Sequence, residues 1–302
     1  MRKLPGHNYI ILPSHTTYLF YLRSAAIYAS VTTSITIGLC VALFYQLLNP
    51  RKASLGMVIA SQIFLFLCHY VAGISVSVCG VENIPSGNKA AIFVANHQSE
   101  MDILTIGAMF PYMYDGSVVA KKSLKYLPLL GIFMMATGAI FVDRASTGYS
   151  VKTPNLSPSP SSTIIQTTAR QVRKQKKSIF IFPEGTRSYF STPKMLPFRS
   201  GAFRISIEAN VPVVPVVVGN YNHIYNPRKR VFNRGVIKIT VLETVWAGTE
   251  TCTGTGEDED GRVRALSERV NAVMVKELEA IGTRQGKNLG HSPGDHASVG
   301  SS

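Results

Sequence analysis

His97 and Asp102 are the two side chains whose types and spacing could do chemistry. A histidine just ahead of a helix and a carboxylate in its first turn can face one another. The carboxylate then fixes one tautomer of the imidazole and stabilises the imidazolium, which is the anatomy of a general base. The partial positive charge of the helix N-terminus favours an ionised Asp102. The stretch Asn96-His97-Gln98-Ser99-Glu100-Met101-Asp102 has a second reading. Ser99 to Asp102 also fits the S/T-x-x-D/E pattern of a helix start with Ser99 as N-cap, and His97 is then an ordinary loop histidine.

Other polar groups stand at the ends of apolar runs. In Phe182-Pro183-Glu184-Gly185-Thr186-Arg187-Ser188, Gly185 sits where the backbone must turn tightly, and Arg187 carries a rigid guanidinium suited to a phosphate. Glu184 is expected either to orient Arg187 or to bind a substrate hydroxyl, and the same residues also make a plain turn with a surface ion pair. Asp143-Arg144 closes the run Gly138-Ala139-Ile140-Phe141-Val142; Arg144 is a second phosphate contact or half of an ordinary ion pair. Lys121, Lys122 and Lys125 stand at a predicted helix start, the wrong end for the helix dipole, which fits an anionic partner or a solvated basic rim. The two prolines of Val211-Pro212-Val213-Val214-Pro215-Val216-Val217-Val218 predict a strand that enters the sheet near an edge or begins with a bulge.

The elements that must position these groups are short apolar runs alternating with helical ones. Strands are predicted at Ile74–Val78, Ala90–Ala95, Ser117–Ala120, Ala139–Val142, Ser178–Phe182, Val213–Val218 and Val236–Leu242, with helices at Met101–Phe110, Ser123–Thr137, Ile164–Lys176 and Gly201–Ala209. The fold class is α/β, a mostly parallel central sheet flanked by helices, with sites at the carboxyl ends of strands. Ahead of it, Ser24 to Leu48 carries no charge and is long enough, at about 25 residues, to span a bilayer with some tilt. A second apolar run, Leu55 to Val78, spans, lies re-entrant or packs beside the catalytic domain. Basic residues on both sides of the first run leave orientation open. Residues 1–73 are thus a membrane-anchoring helical region and 74–246 an α/β catalytic domain containing a Ser/Pro-rich insertion at 145–162. Residues 247–302 hold an acidic linker, a helix at Val263–Ile281 and a disordered tail over the final twenty residues.

The 302 residues carry a net charge of +14 with only 16% charged side chains. Such a surplus on an apolar chain fits a membrane surface or a phosphate-bearing substrate. Nucleic acid is disfavoured, because there is no zinc-knuckle spacing, RNA-binding aromatic motif or long basic helix. The four cysteines, without C-x-x-C pairing, read as buried reduced thiols.

Four blocks in order, Asn96-His97-Gln98-Ser99-x-x-Asp102, Gly138-x-Ile140-Phe141-Val142-Asp143-Arg144, Phe182-Pro183-Glu184-Gly185-Thr186-Arg187-Ser188 and Val211-Pro212-x-Val214-Pro215, closely resemble the glycerolipid acyltransferase family. Within it they resemble the 1-acyl-sn-glycerol-3-phosphate acyltransferases, fungal ones in particular. The similarity runs from Leu19 to Ile281, and the Ser/Pro-rich loop after Arg144 departs from the pattern as an insertion. The resemblance implies His97 as catalytic base and Asp102 as its orienting acid. It implies Glu184, Gly185, Thr186 and Arg187 as the glycerol-phosphate block, Arg144 as a substrate-associated basic position, and Lys121 as a lysine kept near the catalytic pair.

It further implies transfer from acyl-CoA to lysophosphatidic acid, giving phosphatidic acid in phospholipid biosynthesis. The partners are acyl-CoA, lysophosphatidic acid and membrane lipids, with no cofactor beyond the acyl-CoA co-substrate. No metal is called for, since no ligand cluster is evident. The expected location is a membrane, that of the endoplasmic reticulum, with the site facing the cytosol. Other classes remain open: an acyltransferase for another lyso-lipid or glycerol-3-phosphate, and a non-catalytic protein that binds anionic lipid. A histidine–metal nuclease lacks the further ligands it needs.

Overall fold

The computed structural model describes residues 15–87, 89–142, 160–247 and 259–288. It opens with helix α1, His15–Leu48. Several of its hydroxyls bond back within the helix, as Ser30 donates to Ala26 O at 2.8 Å and Ser34 to Ser30 O at 2.7 Å, whereas the buried Ser24 Oγ has no partner among the described residues. Asn49 adopts extended backbone ahead of Pro50, as pre-proline sterics demand, and the helix stops. After one 3-10 turn the chain reverses into α2, Leu55–Leu67, which continues through a π turn to Ala72. Gly73, at φ 71°, ends it in the left-handed conformation that glycine allows.

The two helices cross on small residues. A Cβ placed on Gly38 would lie 2.6 Å from both the Ala60 Cβ and the Gly56 carbonyl oxygen, so the backbones meet where no larger side chain fits. Both helices are long and apolar enough to cross a membrane. They also pack on the rest of the protein: α2 on α3 and α1 on α4. The buried set that contains Ile27, Ile35, Met57 and Phe64 continues without a break into Phe93, Leu104, Phe133 and Val214. At Gly73 the chain changes from helix to strand, and residues on both sides belong to this buried set.

The strands that follow are β1 (Ile74–Cys79), β2 (Ile92–Ala95), β3 (Ser117–Lys121), β4 (Ile140–Val142), β5 (Ile179–Ile181), β6 (Val213–Val218), β7 (Tyr225–Asn226), β8 (Val231–Phe232) and β9 (Gly235–Val241). Between and after them lie α3 (Ile103–Met109), α4 (Leu130–Ala136), α5 (Pro160–Gln175), α6 (Gly201–Ala209) and α7 (Glu259–Asn288). Seven strands form one sheet in the order β1-β9-β6-β2-β5-β3-β4, and β7 and β8 form a separate hairpin. All neighbours in the sheet are parallel except β6 and β9. The pleat sorts side chains into two layers. In β2, Phe93 and Ala95 join the layer under α1 to α4, while Ile92 and Val94 join the layer that contains residues of α5, α6 and α7.

Several expectations are corrected. β6 is central, between β9 and β2, with every residue buried, so it does not lie at an edge. The bulge alternative has its counterpart on the partner: Val216 pairs with Val241, but Val213 bridges Val245, one residue out of register. Pro215, which has no N–H to donate, lies within the stretch where that slip occurs, and its carbonyl still accepts from Leu242 N at 2.9 Å. The helix predicted over Ser123–Thr137 is a 3-10 turn at Lys122–Tyr126 followed by α4, because Leu127 takes extended backbone ahead of Pro128. Lys121 therefore precedes a 3-10 turn that contains Lys122 and Lys125, and none of the three stands at an α-helix start.

α7 runs to Asn288, so the first six of the final twenty residues are helical, and the remainder lie outside the described residues. Most of the Ser/Pro-rich insertion and of the acidic linker also lies outside them, though Pro160 opens α5 and Glu259 opens α7. Cys40 and Cys79 are free and exposed, not buried; only Cys68 of the three described cysteines is buried.

Candidate active site

The site gathers at the carboxyl ends of β2, β5 and β6, three neighbouring parallel strands. His97 follows β2 by two residues, Glu184 follows β5 by three, and Tyr221 follows β6 by three. Asn96 fastens two of these ends together, since its Nδ2 donates to Val218 O at 3.0 Å and its Oδ1 accepts from Val218 N at 2.8 Å. Gln98 Nε2 adds bonds to Val218 O and Gly219 O.

His97 Nδ1 lies 2.8 Å from Asp102 Oδ2. Asp102 is 1% exposed, whereas the His97 side chain is 16% exposed, so the carboxylate is inside and the imidazole lies nearer the surface. The same Oδ2 accepts from Gln98 N at 2.5 Å and Ser99 N at 3.1 Å. Oδ1 accepts from the Tyr221 hydroxyl at 2.6 Å. Ser99 and Asp102 form a reciprocal capping box, as the helix-start pattern predicts, and that cap holds the carboxylate against the imidazole. The Phe182 ring stacks on His97 at 4.1 Å between centroids and 15° between planes, which fixes the ring's other face. With Nδ1 engaged, Nε2 is the nitrogen turned away from Asp102, in a position to accept a proton from a bound ligand.

Among the described residues no hydrogen bond or ion pair joins Glu184 to Arg187, which pairs with Glu100 instead. Glu184 is buried, its Oε1 accepts from His97 N at 2.7 Å, and its Oε2 accepts from Leu196 N at 2.9 Å. It is a brace that ties the His97 loop to the segment ahead of α6. Burial pushes its carboxyl above the usual glutamate range, with the two backbone donors opposing. Gly185 turns tightly as expected, at φ 69°, and a Cβ there would meet the Arg199 side chain at 2.5 Å. Thr186 and Arg187 are exposed at the mouth. The Arg187 guanidinium pairs with Glu100, which also accepts from the Tyr189 hydroxyl.

Lys121 ends β3 and is exposed. Among the described residues no hydrogen bond or ion pair joins it to His97, Asp102 or Arg187. Arg144 and Asp143 lie outside the described residues.

The sequence reading passed over Tyr221, although it follows a buried strand by the same short step as Glu184. Its hydroxyl donates to Asp102 and accepts from Ser99 Oγ at 2.9 Å, and burial, then the Asp102 carboxylate, push its phenol well above its ordinary value, so it remains a donor. Hydrogen bonds to charged groups contribute about 1.5–3 kcal/mol. Tyr221→Phe is expected to lower kcat roughly tenfold with the KM of either substrate little changed. An initial-rate series that showed unchanged kcat would remove Tyr221 from the assembly.

Residues 75–219 match the family described as Acyltransferase. The chain is 35% identical over 265 residues to the 1-acyl-sn-glycerol-3-phosphate acyltransferase of Saccharomyces cerevisiae, covering 88% of this chain and 79% of that protein. It is 32% identical over 223 residues to the human 1-acyl-sn-glycerol-3-phosphate acyltransferase alpha, covering 72% and 70%. Among solved structures, the 1-acyl-sn-glycerophosphate (LPA) acyltransferase of Thermotoga maritima superposes with a TM-score of 0.60 at 21% identity, over 87% of this chain and 99% of that one. That likeness is one of fold: a mostly parallel sheet flanked by helices.

Proposed function

The chain belongs to the acyltransferase family, and on that premise we propose that it transfers a fatty acyl group from acyl-CoA to the sn-2 hydroxyl of 1-acyl-sn-glycerol-3-phosphate, forming phosphatidic acid and free CoA. The observation that carries the chemistry is the 2.8 Å contact between His97 Nδ1 and Asp102, with Nε2 turned outward. Nε2 takes the hydroxyl proton as the acceptor oxygen bonds to the thioester carbonyl carbon. The carbon–sulfur bond then breaks, and the departing thiolate takes the proton from the imidazolium. Asp102 stabilises that imidazolium while it exists. No acyl-enzyme is needed, because the Ser99 hydroxyl accepts from Met101 N at 3.2 Å and is bonded to Tyr221.

Arg187, with Arg144 and Lys121 as further basic positions, holds the acceptor phosphate and so fixes the reach from phosphate to reacting hydroxyl. Both substrates carry acyl chains that leave a bilayer at about 0.8 kcal/mol per CH₂, so the α1–α2 pair keeps the pocket mouth at the lipid surface. The location that fits is the endoplasmic reticulum membrane, with the site on the cytosolic side.

The test is CoA thiol release from oleoyl-CoA by detergent-solubilised protein, with and without lysophosphatidic acid. Release that requires lysophosphatidic acid, and exceeds that with glycerol-3-phosphate or lysophosphatidylcholine, is the expected result. Release that ignores the acceptor would mark a thioesterase and overturn the assignment.

A further inference from the structure

The mouth of the site holds a second arginine that no sequence block singles out. Arg228 lies on the turn between β7 and β8, and its guanidinium sits over the Tyr189 ring at 4.9 Å. Arg187 lies 5.7 Å from the centroid of the same ring. The Tyr189 hydroxyl donates to the Glu100 oxygen that also pairs with Arg187. Two guanidiniums and one carboxylate, that of Glu100 in the first turn after His97, are thus gathered around the Tyr189 side chain.

This cluster is built by the fold. Tyr189 has φ 51°, a left-handed conformation that bulky residues rarely adopt, and its N–H is held by Gln98 O at 3.0 Å. The turn that carries Arg228 is closed by Lys229 N donating to Asn226 Oδ1 at 3.0 Å, and Asn226 is itself tied to Asn222 at 2.9 Å. The hairpin is seated on α1, where Phe20 stacks on Tyr225 and Arg23 donates to Phe232 O.

Resting on the function proposed above, we infer that Arg228 is a second guanidinium for the phosphate of the acyl acceptor, and that Glu100 holds the place of that phosphate on Arg187 until the acceptor arrives. The side chains of Glu100 and Arg187 are 41% and 42% exposed, so their pair is open to a ligand and contributes little to stability. A phosphate monoester offers three oxygens and up to two negative charges, and satisfies two guanidiniums better than one carboxylate does. A phosphodiester headgroup carries a single charge and fills the pair less well. The two arginines therefore select a monoester acceptor.

Initial rates in neutral detergent micelles test this, with lysophosphatidate and oleoyl-CoA varied separately. Arg228→Ala is expected to raise the KM for lysophosphatidate about tenfold, with kcat within twofold and the KM for oleoyl-CoA unchanged; Arg228→Lys should recover part of the loss. Glu100→Gln should lower the KM for lysophosphatidate severalfold. A melting curve for each variant separates these effects from misfolding. An unchanged lysophosphatidate KM in Arg228→Ala would overturn the inference, as would a rise that appears for oleoyl-CoA instead. An effect confined to anionic vesicles and absent in neutral micelles would assign Arg228 to the membrane surface. Wild-type protein with no lysophosphatidate-dependent turnover would instead defeat the underlying function.

Discussion

His97→Ala is expected to lower turnover about 10²–10⁴-fold, the range that a positioned general base contributes. The loss should fall on kcat, because the imidazole assists proton transfer and contributes little to holding either substrate. The fold should survive. The His97 side chain is partly exposed, and the loop around it is held by backbone bonds, His97 N to Glu184 and Ser188 N to His97 O at 2.9 Å, which alanine retains. Initial rates paired with thermal melts decide the matter. Activity within tenfold of wild type in a folded variant would mean that Nε2 does not carry the proton.

Glu184→Ala is expected to do the opposite, unsettling the fold first and the chemistry with it. It strips the acceptors from two N–H groups, those of His97 and Leu196, at a buried position. Each buried donor left without a partner costs about 1–3 kcal/mol, so the variant should lose about 2–6 kcal/mol. Glu184→Gln retains one acceptor oxygen but turns an amide NH₂ toward the other N–H, and should fall between. Chemical denaturation in detergent measures the ranking. If alanine were as stable as wild type, water must have replaced the carboxylate and the brace would be dispensable.

The contrast between these two residues shows where the sequence is readable. His97 and Asp102 are five apart in one loop, so their meeting is a local event that a capping pattern and a strand end predict together. The partners of Glu184 lie 87 and 12 residues away, and nothing near it in the chain says that its oxygens will be spent on backbone. Tyr221 reaches Asp102 across 119 residues for the same reason. The strands were legible because each is a short apolar run with turn residues at its ends. Their order was not, since β2 lies between β5 and β6, and such pairings are long-range. β7 and β8, at two residues each, are too short to show a period at all. Pro215 misled by half: a missing donor excludes a regular ladder on one side, and a slipped register on the neighbouring segment removes the conflict as well as an edge position does.

The continuous core beneath α1 and α2 bears on how such an enzyme can be inherited or redesigned. A tether can be exchanged for another of equal length, because only its greasiness matters. Here Gly38 and Gly56 set the distance between two helices whose other faces complete the hydrophobic layer over Phe93, Leu104 and Phe133. A foreign anchor grafted at residue 73 would have to reproduce that surface residue for residue. The α1–α2 pair is for that reason not a portable module: it travels with the rest of the fold as a single heritable unit, and a fragment made by cutting it away would carry an open core in place of a trimmed surface.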